Sequence, residues 1–230
     1  MISVLTLWER VNQMAQKYQS GQTVVDTFNG ALAEVQAEIY NDLSSYYQVN
    51  EKVRALLNPW VKNVAATFTT GLYTSNDAQF DRVISIAIRD TQNPPNILYA
   101  VNPITEGELV YADQIPQRKP DLAKKRVYYL MAGPATIEIF PKPGTVPAIV
   151  YYLSYPTLAK IAFTYNLTND EYVMTYDAGN STQLGWALDA FNIILYKMLE
   201  KYGVETRDQW IEEYSRLGIS KPILNQGGNQ

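Results

Sequence analysis

A chain of 230 residues with 47% hydrophobic and 18% charged side chains is a folded globular protein of one large domain or two small ones. It has no Cys and no His, which excludes disulfides, thiolate and imidazole metal sites and every Ser-His or Cys-His catalytic pair, and leaves carboxylate chemistry and oxygen-ligated Mg or Ca. A net charge of −4 is not the footprint of a chain that grips phosphates over its whole surface, and no run reaches the roughly 18 apolar residues of a membrane span, so a soluble protein folding in a cytoplasm is expected.

The first sixty residues read as helices. Val4, Leu7, Trp8, Val11, Ala15 and Tyr18 recur at helical spacing, with Thr6 and Glu9 spaced as a capping box and Gly21 as a stop. Thr23 opens a longer helix whose apolar stripe is Phe28, Leu32, Val35, Ile39, Leu43 and Tyr46. Glu34, Glu38 and Asp42 form an acidic row on another face, read as a solvated surface. Asn50 caps a short third helix carrying Val53, Leu56, Leu57 and Trp60, with Pro59 near its end.

The middle of the chain reads as strands. Residues 66–75 are rich in Thr and aromatics. Residues 80–88 alternate, Val83, Ser85 and Ala87 against Ile84, Ile86 and Ile88. After the Asn93-Pro94-Pro95 break come a strand at 97–101, a short helix at 105–114 and strands at 126–130, 135–140 and 148–154. Pro141, Pro143 and Gly144 mark a turn between the last two. Residues 161–165 and 171–176 are spaced to pair as a hairpin. The chain then returns to helix: Leu184, Leu188, Phe191, Leu195, Met198 and Tyr202 form one stripe closed by Gly203, and a Thr206/Gln209 capping box opens another that ends at Gly218. Residues 219–230 hold Gly, Asn, Gln and Pro with almost no charge and read as a flexible tail.

The predicted fold class is α+β: a helical bundle formed by N- and C-terminal helices, with an inserted antiparallel β-sheet or sandwich module. The predicted organisation is N-terminal bundle helices at 1–64, a β-rich insert at 65–180, C-terminal bundle helices at 181–218 and a tail at 219–230.

No Walker, dinucleotide-binding or nucleophile-elbow motif occurs, and no acidic loop has EF-hand spacing. Glu138 and the Asp170-Glu171 pair are the carboxylates left to consider. A glycosidase needs two such groups about 5–10 Å apart across a cleft, and adjacent acids in an Asn-Asp-Glu turn are solvated turn formers. Neither an enzymatic activity nor a cofactor is expected. Arg118, Lys119, Lys124, Lys125 and Arg126 form one basic cluster with Asp121 as its only acid. It is either a contact for nucleic acid or an acidic partner surface, or a solvated loop kept extended by Pro116 and Pro120. The 18 Tyr and 4 Trp fit either subunit interfaces or half-buried strand faces.

Four stretches carry a resemblance. They are Phe28-Asn29 with Ala37 to Leu43, Tyr46 and Asn50; Gln117-Arg118-Lys119-Pro120; Ile137 to Pro141 leading to Ile149 to Leu153 and Pro156; and the two-helix ending, 183–203 and 206–218. Together they resemble the ring-forming head-to-tail connector (adaptor or neck) proteins of short-tailed, crAss-like bacteriophages. The resemblance implies a structural virion protein at the head-to-tail junction: a dodecameric ring below the portal or beside neighbouring neck and tail rings, with genomic DNA passing through its lumen. It implies no catalysis, cofactor or membrane. It also implies a tail that docks on the portal, for which Pro222, Ile223 and Leu224 are the apolar anchors here, with Arg118 and Lys119 as further partner contacts. A heterologous contact closes into such a ring when the rotation per subunit is fixed. Another tail or baseplate subunit, or a carbohydrate-binding or carbohydrate-cleaving module using Tyr and Trp platforms, remain the alternatives. A sugar module would expose several aromatics on one concave face.

Overall fold

In a computed structural model, which describes residues 3–18, 24–89, 98–168 and 171–204, the chain forms two compact units, Trp60–Tyr155 and Met1–Pro59 with Pro156–Gln230. Five helices and nine strands lie among the described residues.

In the second of these, the helical unit, α1 (Val4–Tyr18) buries Val4, Leu7, Trp8, Val11 and Ala15, the stripe that the spacing dictates. Its first turn starts earlier than a Thr6/Glu9 box allows. Ser3 caps it instead, with the Thr6 N–H donating to Ser3 Oγ at 3.3 Å and the Leu7 N–H to the Ser3 carbonyl at 3.2 Å. Helix α2 (Val25–Ser44) buries Phe28, Leu32, Val35, Ile39 and Leu43, and α3 (Glu51–Leu57) is capped by Asn50 Oδ1, which accepts from the Lys52 and Val53 N–H groups. Helix α5 (Phe191–Lys201) is shorter than the stripe predicted. Leu184 and Trp186 are buried, but from non-helical chain, and Leu188 lies in a 3-10 turn with its side chain in solvent. Gly203, at φ +74°, ends α5. Its N–H bonds the Glu200 carbonyl, and the Val204 N–H bonds the Leu199 carbonyl, a Schellman closure. Strands β8 (Phe163–Thr168) and β9 (Glu171–Tyr176) pair as the expected antiparallel hairpin, and Phe163 packs 5.6 Å from the Trp8 ring of α1.

The strands of the other unit are β1 (Val61–Thr69), β2 (Leu72–Thr74), β3 (Phe80–Arg89), β4 (Leu98–Pro103), β5 (Tyr128–Gly133), β6 (Thr136–Phe140) and β7 (Thr145–Ser154), with helix α4 (Glu106–Gln114) between β4 and β5. They close into a barrel in the order β1-β2-β6-β5-β4-β3-β7. Strand β7 pairs antiparallel with both β1 and β3, and β4 meets β5 in parallel through Asn102↔Tyr128 and Pro103↔Tyr129. Phe68, Ile86, Val127, Ile137, Ile139 and Val150 are wholly buried inside it.

This corrects the predicted fold class. The dominant element is a closed seven-stranded barrel accompanied by five helices, not a bundle of terminal helices carrying an inserted open sheet or sandwich. The physical reason is edge removal. An open sheet leaves two rows of unpaired N–H and C=O groups, whereas closure pairs them. Strand β3 also departs from strict alternation. Register shifts at 80/82 and 83/85 place Phe80, Val83, Ile86 and Ile88 on the inner side together, where a regular strand would separate Val83 from Ile86.

Candidate functional site

The basic cluster lies in the loop joining α4 to β5. The Ile115 carbonyl accepts the Arg118 and Lys119 N–H groups at 2.9 and 2.8 Å, and Asp121 and Arg126 exchange both backbone hydrogen bonds at 2.9 Å. The Arg126 guanidinium turns inward and donates to the carbonyls of Pro116 and Gln117, while Tyr128 Oη donates to the Arg118 carbonyl at 3.1 Å. Hydrogen bonding from the Lys124 N–H, with the nearby Lys124 charge, holds the Asp121 carboxyl below its ordinary range. Lys125 sits at φ +55°, a left-handed backbone that a residue with a Cβ rarely adopts, and its ammonium lies 5.8 Å from the centre of the Tyr99 ring. Arg126 is thus used to build the loop. Arg118, Lys119, Lys124 and Lys125 are left exposed on it. Lys119 is 3.7 Å from Asp113 and Lys124 is 3.8 Å from Asp121, both open pairs, and the Arg118 side chain makes no ion pair among the described residues.

A second surface belongs to the helical unit. Trp8, Asn12 and Gln16 of α1, Val24 and Val25 at the start of α2, Tyr165 of β8 and Met174 of β9 line a cleft of about 440 Å³. Trp8, which lines it, belongs to a chain of packed aromatics. Trp8 meets Phe28 edge-on at 4.9 Å, and Phe163 meets Trp8 at 5.6 Å and Tyr176 at 6.1 Å. Tyr165 and Met174 are directly opposed in the hairpin and share the face of Phe163 and Tyr176, so the apolar face continues outward from the packed aromatics. Val24, Tyr165 and Met174 are 62%, 59% and 46% exposed, and among the described residues no charged side chain lines the cleft. A two-stranded ribbon is marginal alone and gains stability from whatever covers such a face.

Two polar networks brace the units. In the helical unit, Lys197 of α5 is 4% exposed, 2.5 Å from Glu38 and 3.4 Å from Asp42, and Lys201 reaches Glu34 at 3.1 Å. The acidic row of α2 is therefore not simply a solvated face. Spaced by four, it meets two lysines of α5 also spaced by four. In the barrel, Asp77 accepts from the Gln79 N–H (2.9 Å), Lys62 Nζ (2.9 Å) and Tyr152 Oη (2.8 Å). These bonds, the backbone one foremost, hold its carboxyl at a pKa of about 2, while burial and then the Asp77 bond push the Tyr152 hydroxyl up to about 12.

Of the residues singled out in the sequence, Arg118 and Lys119 stand together on the built loop, and Pro222, Ile223 and Leu224 lie outside the described residues. Glu138 is engaged with Lys142 at 2.5 Å, Asp170 lies outside the described residues, and Glu171 begins β9 opposite Thr168. Among the described residues no three acids gather to hold a metal ion, and no helix is long and apolar enough to cross a membrane. The described tryptophans Trp8, Trp60 and Trp186 are 8%, 8% and 1% exposed, built into cores rather than presented as platforms. The sequence reading missed the apolar cleft and both polar networks. A signal for one was present in the four-residue spacing shared by the acids of α2 and by Lys197 and Lys201. No known protein family matches this chain, and no curated protein matches it in sequence.

Proposed function

We propose that the chain is a structural virion subunit that associates with copies of itself into a ring in the head-to-tail connector of a short-tailed bacteriophage, below the portal, with DNA passing through the lumen. The observation that carries the reading is the cleft at the β8–β9 hairpin, where an apolar face runs from packed aromatics into exposed Tyr165 and Met174. A contiguous uncovered apolar surface rimmed by amides is the chemistry of a protein contact. The ion pairs from α5 to α2 brace the helical unit and strand closure braces the barrel, which supports the reading because a ring closes only when each contact repeats at a fixed angle. The burial of Trp8, Trp60 and Trp186 disfavours the sugar-platform alternative. The location below the portal rests on the sequence resemblance, and Pro222, Ile223 and Leu224 are the residues proposed to anchor there.

Electron microscopy of the purified chain, alone and mixed with the portal of the virus that encodes it, tests the reading. Closed rings, or rings stacked on the portal, are the expected images. A dispersed single copy in both samples, together with binding to a glycan array, would replace this reading with the carbohydrate module.

A further inference from the structure

We infer that the cleft between α1, the start of α2 and the β8–β9 hairpin is the seat of the chain's own C-terminal segment, residues 206–218. The inference goes beyond the self-assembly reading, does not need it, and names what fills the cleft.

The course of the chain leads to the cleft. Lys197 of α5 reaches Glu38 and Asp42 of α2, and Lys201, one turn on, reaches Glu34, one turn back. The two helices are therefore antiparallel. Helix α5 runs toward the start of α2, where Val24 and Val25 form one wall of the cleft. Glu34 stands nine residues after Val25 in the same helix, which is about 14 Å along its axis and is spanned by roughly five extended residues. Gly203 closes α5, Val204 is buried, and 26 residues follow. Of the stretches of this unit outside the described residues, 19–23 and 169–170 hold no apolar side chain. Only 205–230 is long enough to present a repeating face.

The chemistry of the segment matches the seat. Trp210, Tyr214 and Leu217 fall at i, i+4 and i+7, one side of the helix that the Thr206/Gln209 spacing predicts, while Asp208, Glu212 and Arg216 fall on the other. A helix laid in an apolar groove is held by such a set of anchors. Trp8, Tyr165 and Met174 offer ring and sulfur contacts, and Asn12 and Gln16 place amides where an indole N–H and a Tyr hydroxyl need partners. Among the described residues no charge lines the cleft, so the charged side of the segment stays in water. A volume of about 440 Å³ suits a few side chains rather than a folded domain. Tethering selects this occupant over a foreign peptide of like affinity, because a short linker holds it at an effective concentration of about millimolar. In an assembly the same seat takes the segment of a neighbouring copy, the exchange of one identical element between copies. Residues 219–230, with Pro222, Ile223 and Leu224, are left beyond the cleft for the proposed portal contact.

A photoreactive benzophenone side chain placed at position 165 of the full-length chain tests the seat. Heavy-isotope and light copies are mixed, alone and with the portal, before irradiation. Cross-links from position 165 to residues 206–218 are expected. A second measurement needs no probe in the cleft. A chain ending at Val204, and the full-length variant W210A/Y214A/L217A, are expected to oxidise Met174 with peroxide about five-fold faster than the wild type. Met131, 41% exposed on the barrel, is expected to keep its rate and so controls for folding. Cross-links that miss 206–218, whether they fall elsewhere on this chain or on the portal, overturn the inference. A Met174 rate unchanged in both variants overturns it as well. Heavy-to-light cross-links into 206–218 support it together with the self-assembly reading. Cross-links into 206–218 only within single chains, from copies that never assemble, support it and remove that reading.

Discussion

Asp77 shows how one side chain fixes a corner of the barrel. It ties the turn before β3 to Lys62 on β1 and Tyr152 on β7, and the Phe80 ring stacks on Tyr152 at 4.9 Å. Its carboxyl is held at about 2, below the ordinary 3.8, so the charged form is the stabilising one. That stability is complete above the ordinary value and is lost as the pH falls through the interval from about 4 to about 2. Asp77→Asn is expected to cost about 1 kcal/mol at neutral pH, because the carboxylate is partly open to water, and to flatten the pH dependence over that interval in urea unfolding. Gly71 is the second such position. It has φ +82°, and an added Cβ would lie 3.0 Å from the Ile139 carbonyl oxygen and 3.2 Å from the Lys142 Cα, neither of which yields easily. Gly71→Ala is therefore expected to cost about 2 kcal/mol, read from the shift in the denaturation midpoint. The Asn50 cap was legible in the sequence because cap and donors are only two and three residues apart. The Asp77 network was not, because Lys62, Asp77 and Tyr152 come from three separated stretches with no local motif to announce them.

At the scale of elements, α2 and α5 are joined by apolar stripes and by the row of ion pairs. Lys197 is buried while Glu38 and Asp42 are 48% and 32% exposed, so the two sides of the pair respond differently to substitution. Glu38→Gln with Asp42→Asn removes both carboxylates seen to pair with the buried Lys197 ammonium and is expected to cost about 3 kcal/mol. Lys197→Ala leaves acids that water still reaches and is expected to cost about 2 kcal/mol. Lys197→Met keeps the packing volume and is expected to stay within about 1 kcal/mol of the wild type. Urea midpoints compared at constant slope give the order directly. Helix stripes were legible here because their period is local. The start of α5 was misplaced because Leu184 buries itself from non-helical chain while its four-residue spacing to Leu188 imitates a helix. The strands were legible as strands, but the bulges of β3 were not, since a register shift is fixed by the partner strand β7 and not by the run itself.

At the scale of the whole molecule, barrel closure lay beyond the reach of the sequence. Its decisive pairs, β1 with β7, β2 with β6 and the parallel β4 with β5, join segments far apart in the chain, and alternating burial looks the same in a sandwich and in a barrel. The exclusion of thiolate and imidazole chemistry, by contrast, followed from composition alone. The apolar cleft was hidden because Trp8, Val24, Tyr165 and Met174 come from four elements, each unremarkable by itself. The purpose proposed for these features is to hold copies of the chain together. Native mass spectrometry of the 26.1 kDa chain in the presence of the portal tests that claim most directly. The account predicts one dominant species containing a fixed, integral number of copies. A 26.1 kDa single copy persisting at every concentration would contradict it.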